Sequence, residues 1–199
     1  MNTTYRTITA QAEGIFKDRG SKFLAYAYPF QQKGELKPLL LQLKKEHIKA
    51  VHFCYAYRLG TEGADFRAND DGEPGGSAGR PILGQIDSFG LTHILVVVVR
   101  YFGGTLLGVP GLIHAYKTAT LEALQQTEMI EKDIEKALTI EFDYPVLGEV
   151  MNAVKSFDAG IANQDMGLFC RIVISVPLAR FSGLKKRMED IYGVKVEEE

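Results

Sequence analysis

The sequence predicts an α+β protein of two domains, spanning residues 1–130 and 134–199. Three observations carry this prediction. Several short stretches alternate apolar and polar residues, as half-buried strands do, while others repeat apolar residues at the spacing of an amphipathic helix. The composition becomes polar over Glu128–Glu135, which is typical of a linker between domains. The chain of 199 residues has room for one large domain or two small ones.

The N-terminal part begins with strands predicted at Tyr5–Ala10 and Phe23–Tyr28, joined through a polar turn around Asp18–Gly20. A helix is predicted over Leu36–His47. Its apolar stripe has the spacing i, i+3, i+4, i+7, as shown by Leu36, Leu39, Leu40 and Leu43.

A strand is predicted over Val51–Arg58, where aromatic residues on one face indicate packing against a helix. The other face carries His52, Cys54, Ala56 and Arg58, and we expect it to be solvated, although its position before an acidic loop also allows a site. The unbroken apolar run of His93–Arg100 predicts a strand buried on both faces. A further helix is predicted from Pro110 to about Gln126.

The C-terminal part predicts the order β-α-β-β-α-β, which is the ferredoxin-like pattern. The elements are a strand over Ala137–Tyr144, a helix from Pro145, a hairpin of Gly160–Met166 and Leu168–Val176 turning at Gly167, a helix over Leu178–Tyr192 and a strand over Val194–Val196.

Composition limits the classes of function. The net charge of −2 provides no general attraction to nucleic acid or anionic membrane. The longest purely apolar run, Ile94–Val99, is far shorter than the ~20 residues that span a bilayer. No signal peptide is visible in the sequence. The two cysteines are far apart, and we expect them to be buried thiols. We therefore expect a cytoplasmic protein without membrane contact.

The most distinctive stretch is the loop Asp70–Leu83, DDGEPGGSAGRPIL. Its small residues allow backbone N–H groups to approach a partner closely. Ser77 is predicted to cap a helix over about Arg80–Phe89. The N–H groups at that helix end favour an anion, although self-capping by Asp71 or Glu73 needs no ligand and is the default.

Familiar catalytic motifs are missing from the sequence. It contains no phosphate loop with its lysine, no nucleophile elbow and no zinc-like histidine spacing. His52 with Asp70, Asp71 and Glu73 is compatible with Mg²⁺ binding or acid–base chemistry, but loop carboxylates more often form caps and turns. We assign no catalytic residue, no metal ligand and no cofactor.

Three blocks in order resemble the IMPACT family: His52-x-Cys54-x-Ala56-Tyr57, the loop Asp70–Leu83, and Val97–Gly108 with its continuation Gly111–Tyr116. The resemblance implies an N-terminal domain like domain 2 of ribosomal protein S-five. It also implies a C-terminal domain like domain V of elongation factor G. Eukaryotic members regulate translation by binding the protein that activates a starvation-sensing kinase, and the family has no established catalytic residues.

We therefore predict a non-enzymatic binding protein that regulates translation through the ribosome, RNA or a translation factor. The predicted binding residues, with Arg19 in support, are Lys22, His52, Arg58, Asp70, Asp71, Glu73, Gly75, Gly76, Ser77, Gly79, Arg80, Arg100, Tyr101, Gly103 and Gly104. The first alternative is a metal-dependent hydrolase or phosphoryl-transfer enzyme that uses the Asp70–Glu73 segment. The second is a structural loop, in which Arg80 or Arg100 pairs with Asp71 or Glu73.

Overall fold

The computed structural model describes residues 2–167 and 169–198. Contacts divide it into two compact units. One is Tyr5–Lys132, and the other consists of the described residues from Asp133 onward together with those before Tyr5. None of the described helices is long and apolar enough to cross a membrane.

The first part of the chain contains seven strands and three α-helices within the described residues. They are β1 (Thr4–Ile8), β2 (Ala12–Asp18), β3 (Ser21–Pro29), α1 (Leu36–Glu46), β4 (His52–Leu59), β5 (Asp65–Asn69), α2 (Gly79–Ser88), β6 (Ile94–Tyr101), α3 (Gly108–Gln125) and β7 (Met129–Asp133). Strands β1 and β7 pair with each other, and the other five form an antiparallel sheet in the order β2-β3-β6-β4-β5.

The central strand β6 organises this unit. Its residues from Ile94 to Val99 are completely buried, as the apolar run predicted. One face of the sheet packs against α2 and α3, and the other face packs against α1. Arg100 follows the buried run on the same strand, so the fold carries a charged side chain into the edge of the core.

Strand β4 also has two buried faces, which corrects the expectation of a solvated one. Its aromatic face packs on α1 as predicted. The opposite face carries Cys54 and Ala56, which are fully buried against α2 and α3. Small residues are needed there because the helices approach the sheet closely.

Three strands of the first part were not predicted. Strands β2 and β5 lie at the edges of the sheet, and β7 occupies the predicted linker. A Cβ atom at Gly14 in β2 would overlap the backbone of α3 at Ala123. Gly14 therefore serves close packing between strand and helix, although glycine weakens the sequence signal for a strand.

The second unit has the order β-α-β-β-α-β that the sequence predicted. Its elements are β8 (Glu135–Phe142), α4 (Leu147–Ser156), β9 (Gly160–Met166), β10 (Cys170–Pro177), α5 (Leu178–Glu189) and β11 (Lys195–Glu198). The antiparallel sheet has the order β11-β8-β10-β9, and side chains of α4 and α5 join its apolar core. Leu168, the predicted first residue of a strand, lies outside the described residues.

Candidate functional site

Asp70 holds the acidic loop closed. One carboxylate oxygen accepts a hydrogen bond from the N–H of Gly76 at 2.8 Å. The other accepts from the N–H groups of Ala78 at 3.1 Å and Gly79 at 2.8 Å. Burial opposes ionisation, but the three N–H bonds and the charge of Arg80 outweigh it and lower the pKa of Asp70. The anion at this helix end is therefore the carboxylate of Asp70. The expected capping by Asp71 or Glu73 is not the one that the structure shows.

The predicted cap at Ser77 is wrong. Its hydroxyl is completely buried and has no hydrogen-bond partner among the residues that the structure describes. The helix begins at Gly79, one residue before the predicted start. A carboxylate is a stronger acceptor than a hydroxyl, so Asp70 takes the N–H groups that Ser77 was expected to bind.

Gly79 serves packing at this helix start. A Cβ atom there would overlap the backbone of Asn69 at the end of β5. Gly76 has a φ of +78°, a conformation that favours glycine, whereas Gly75 faces open space. The loop's small residues thus have separate roles, and close backbone approach explains only some of them.

Asp71 fastens the same loop to the beginning of β4. Its carboxylate accepts a hydrogen bond from the N–H of Phe53 at 2.7 Å. Its backbone carbonyl accepts another from Nδ1 of His52, also at 2.7 Å. A carbonyl can only accept, so Nδ1 of His52 carries the proton. The second ring nitrogen, Nε2, lies 3.9 Å from a carboxylate oxygen of Glu73.

Glu73 is the buried centre of the cluster. Its Oε1 atom accepts from Nη1 of Arg100 at 2.6 Å and from the hydroxyl of Tyr116 at 2.7 Å. The Arg100 and Glu73 side chains are only 6% and 3% exposed. One of the four pairings that the sequence left open, Arg100 with Glu73, is therefore present.

Tyr116 links this ion pair to Cys54. The thiol lies 3.3 Å from the Tyr116 hydroxyl and 3.0 Å from the carbonyl oxygen of Asp70. Burial raises the pKa of both Tyr116 and Cys54. Both groups therefore stay protonated at neutral pH, and the thiol is a poor nucleophile.

Arg100 is held between two aromatic rings. Its guanidinium carbon lies 5.4 Å from the ring centre of Phe23 and 5.7 Å from that of Phe102. Phe23 and His52 are its register partners on the two neighbouring strands. Its Nε atom is buried and has no hydrogen-bond partner in the described part of the chain.

A cleft of about 450 Å³ opens beside this ion pair, and we call it the Arg100 cleft. Its polar lining consists of His52, Glu73 and Arg100. The rest is made of apolar side chains and one glycine, Gly108. Four large apolar residues of the lining are exposed to solvent, namely Val51, Phe102, Leu106 and Val109, and Pro74 is exposed as well. A buried ion pair thus borders a water-exposed apolar rim.

Arg58 does not belong to this site. It lies six residues after His52 on β4, which places it about 20 Å away along the strand. There it pairs with Asp87 at 2.6 Å and donates to the carbonyl of Gly63. The hydrogen bond to Asp87 raises the pKa of Arg58.

Lys22 and Tyr101 also lie away from the ion pair. They are register partners one position beyond the pair Phe23 and Arg100, and successive residues of a strand point to opposite faces. The Tyr101 hydroxyl is hydrogen-bonded at 2.8 Å to Nδ1 of His47, next to α1. The expectation that Lys22, Arg58 and Tyr101 share one surface with the acidic loop is therefore wrong.

The Gly103-Gly104 turn packs against the turn between β2 and β3. A Cβ atom at Gly103 would overlap the backbone of Gly20, and Gly104 has a φ of +86°. Arg19 reaches across with Nη2 at 3.5 Å from the carbonyl oxygen of Leu107. Arg80 is exposed in the first turn of α2. The close backbone contact between Gly20 and Gly103 explains the glycine at position 103 without a ligand.

The apolar rim was missed by reasoning from the sequence. In the sequence, Phe102 and Leu106 stand out only as members of a motif, and Val109 belongs to none. A usable signal was present, because Leu106–Val109 places apolar residues in a glycine-containing turn between a strand and a helix. Exposed apolar residues gathered at one place on a protein indicate an interaction site.

Comparisons with known proteins agree with this architecture. The family model of the Impact N-terminal domain matches residues 19–124, which include the acidic loop and the cleft. The chain is 33% identical over 152 residues to the IMPACT family member YvyE of Bacillus subtilis, covering 76% of this chain and 70% of that protein. It is 32% identical over 156 residues to the IMPACT family member YigZ of Escherichia coli, covering 77% and 76%.

A solved structure extends the likeness to the whole chain. The crystal structure of a hypothetical protein superposes with a TM-score of 0.79 at 26% identity, and the match covers 100% of this chain and 98% of that one. The matched family model covers more than half of the present chain, and YigZ is matched over more than two thirds of its length. This chain therefore belongs to the IMPACT family.

Proposed function

We propose that this protein is a non-enzymatic binding protein that regulates translation by contacting the ribosome, RNA or a translation factor. The observation that carries the binding role is the Arg100 cleft, which combines an exposed apolar rim with a rigid, internally bonded floor. The link to translation comes from the family, since the eukaryotic members are expected to act there. The site of action is then the cytoplasm.

The bonding of the acidic loop supports binding over catalysis. Asp70 accepts three backbone hydrogen bonds, Asp71 accepts one, and Glu73 accepts from Arg100 and Tyr116. A carboxylate engaged in this way is a poor metal ligand or general base until it gives up its partners. These groups stabilise a fixed surface on which a partner can dock.

Ribosome co-sedimentation at about 50 mM and about 200 mM salt tests this proposal. We expect the wild-type chain to pellet with ribosomes, and Leu106→Asp, which charges the exposed rim, to pellet less. Ile48→Asp is the matched control because Ile48 is an exposed apolar residue outside the cleft lining. A chain that never pellets and leaves the rate of a purified translation system unchanged contradicts the proposal.

The salt series also reports the chemistry of the contact. Binding through RNA phosphates weakens steeply as salt rises, because counterions are released. Binding through an apolar surface depends little on salt. The ratio of pelleted protein at the two concentrations therefore separates an RNA contact from a protein contact.

One observation favours a second candidate, a hydrolase or phosphoryl-transfer enzyme. The ring of His52 is oriented by the Asp71 carbonyl, and its Nε2 lies beside the cleft, 3.9 Å from a carboxylate oxygen of Glu73. This orientation is the one that a general base requires. No group of three potential metal-ligating side chains converges in the described residues. Binding of Mg²⁺ or Mn²⁺ with turnover that Asp71→Asn abolishes is the result that supports this candidate.

We also propose specific fold relationships for the two units. The Tyr5–Lys132 unit is assigned to the domain 2-like fold of ribosomal protein S-five. The second unit is assigned to the ferredoxin-like fold seen in domain V of elongation factor G. Its element order and its sheet order β11-β8-β10-β9 support the second assignment.

A further inference from the structure

We propose that the Arg100 cleft binds an uncharged apolar segment of a partner protein, with an apolar side chain against the rim and a backbone carbonyl on Nε of Arg100. This inference rests on the proposed binding function and names the chemistry of its partner.

The shape of the cleft suits a peptide segment. Its volume of about 450 Å³ lies within the range of about 300–1,000 Å³ typical of ligand clefts. Four large exposed apolar side chains line it, and Leu106 is the most exposed of them, at 82%. An apolar side chain inserted among them removes their surface from water, which is the main source of affinity at protein interfaces.

The charges at the cleft favour an uncharged occupant. The Arg100 guanidinium, the one Lys or Arg side chain among the described lining residues, already has the Glu73 carboxylate as its partner. Arg19 at the nearby turn lies 3.6 Å from Asp18. A phosphate entering the cleft would meet the Glu73 carboxylate and find no Lys or Arg in the described lining other than the already paired Arg100. Like charges at short range disfavour such a contact, so the site selects against an RNA backbone.

The buried Nε–H group of Arg100 is a hydrogen-bond donor for the occupant. Its Nε is buried and unpartnered within the described residues, and such a group destabilises the protein until it finds an acceptor. A backbone carbonyl supplies that acceptor without adding charge. Phe102 lies over the guanidinium, lines the cleft and is half exposed. Because Nε is buried, neighbouring side chains of the cleft must move before the occupant reaches it.

Selection of peptides on the full-length chain provides the test. A display library of random peptides of about twelve residues is selected on the wild-type protein, and the affinities of synthetic winners are measured by fluorescence polarisation. We expect the winners to share an uncharged apolar core. Leu106→Asp is expected to weaken their binding at least about tenfold, whereas Ile48→Asp leaves it unchanged. A selection without winners, or winners indifferent to Leu106→Asp, overturns the proposal.

The hydrogen bond to Arg100 is tested without mutating it. The NMR resonance of its Nε–H group is expected to move to higher ¹H frequency and to exchange more slowly when a selected peptide binds. An Nε–H signal that does not respond shows that the carbonyl contact is wrong. Replacing the peptide amide whose carbonyl docks there with an ester, a weaker acceptor, should reduce affinity.

Two other occupants give distinct outcomes. An oligouridylate of about twelve nucleotides that binds wild type but not Leu106→Asp shows that the cleft takes RNA. Self-association that Leu106→Asp abolishes, seen by sedimentation velocity, shows that a second copy occupies it. Either result overturns the inference. Peptide binding without ribosome or translation effects leaves this inference standing and removes the proposed link to translation.

Discussion

Nη1 of Arg100 lies 2.6 Å from Oε1 of Glu73, and this contact joins the end of the central strand to a loop 27 residues earlier in the chain. Both side chains are almost excluded from water. The attraction between them offsets the desolvation of two charges only while both are present. The ion pair therefore fixes the loop to the sheet, and removal of either charged side chain alone should destabilise the protein.

We expect Glu73→Gln to reduce the free energy of unfolding by about 3–5 kcal/mol, because it leaves Arg100 charged and buried. Urea denaturation followed by circular dichroism measures this loss. The matched control is Asp87→Asn, which breaks the exposed pair with Arg58 and should change stability by less than about 1 kcal/mol. Equal effects of the two substitutions would show that the Glu73 contact is not a buried ion pair in solution.

The double variant Glu73→Met/Arg100→Met separates charge from packing. It removes both ions and fills the space with apolar atoms, so it should be more stable than Glu73→Gln. A double variant that is less stable would assign the role of Glu73 to its bond with Tyr116.

Asp70→Ala is expected to destabilise the protein by about 1–2 kcal/mol near neutral pH, because two N–H groups at the start of α2 and one in the preceding loop lose their acceptor. Ser77→Ala should be neutral or slightly stabilising, because it removes a hydroxyl without a partner. Thermal or urea unfolding of both variants decides between them. A larger loss of stability for Ser77→Ala than for Asp70→Ala would show that Ser77 caps the helix.

The contribution of Asp70 should depend on pH. Its folded pKa is lowered, as the N–H bonds outweigh the burial that opposes them, so it binds protons more weakly when folded than when unfolded. Its stabilising effect is therefore complete above the unfolded value of about 3.9 and is lost as the pH falls through the lower folded value. The stability difference between wild type and Asp70→Ala should shrink from about pH 6 to about pH 2. A constant difference contradicts this.

Substitution by alanine should destabilise the protein at one glycine of this loop and have almost no effect at another. Gly79→Ala forces a methyl group into the backbone of Asn69 and should cost about 1–3 kcal/mol. Gly75→Ala meets nothing within 4 Å and should change stability by no more than about 0.5 kcal/mol. Denaturation midpoints measured side by side report the contrast, and similar losses would mean that the loop packs differently.

Cys54 should resist alkylation in the folded protein. Burial raises the pKa of its thiol above the value of about 8.5 that a free cysteine has. At neutral pH the fraction of reactive thiolate is therefore far smaller than for a free cysteine. Iodoacetamide labelling located by peptide mass spectrometry should be slow in buffer and fast in concentrated urea. Rapid labelling of Cys54 in buffer would show that its surroundings open readily.

Patterns confined to neighbouring residues predicted much of the fold. The β-branched run ending at Arg100 identified the central strand, and the apolar stripes identified the helices. The edge strand β5 was not predicted because it is short and largely polar, and β2 was not predicted because Gly14, present for contact with a helix, interrupts its pattern. Edge strands bury less surface, so their pattern is weaker.

The site depended on contacts between distant residues. Asp70 caps α2 although it precedes Ala78 and Gly79, whose N–H groups it accepts, by eight and nine residues. A capping residue normally stands directly before the helix, which is why the sequence pointed to Ser77. The separation of Arg58 from His52 was readable from strand length alone. The only local signal of the Arg100 cleft is the apolar turn at Leu106–Val109, because the other walls come from a strand end and a distant loop.

The contact between Gly20 and Gly103 has a consequence for natural variation in this protein. Neither turn can accept a methyl group without colliding with the other, and Gly20 also has a φ of +80°. Even the smallest substitution at either position, to alanine, therefore places a methyl group against the backbone of the other turn. The pair should persist or be replaced together, by an insertion or deletion that reshapes both turns at once.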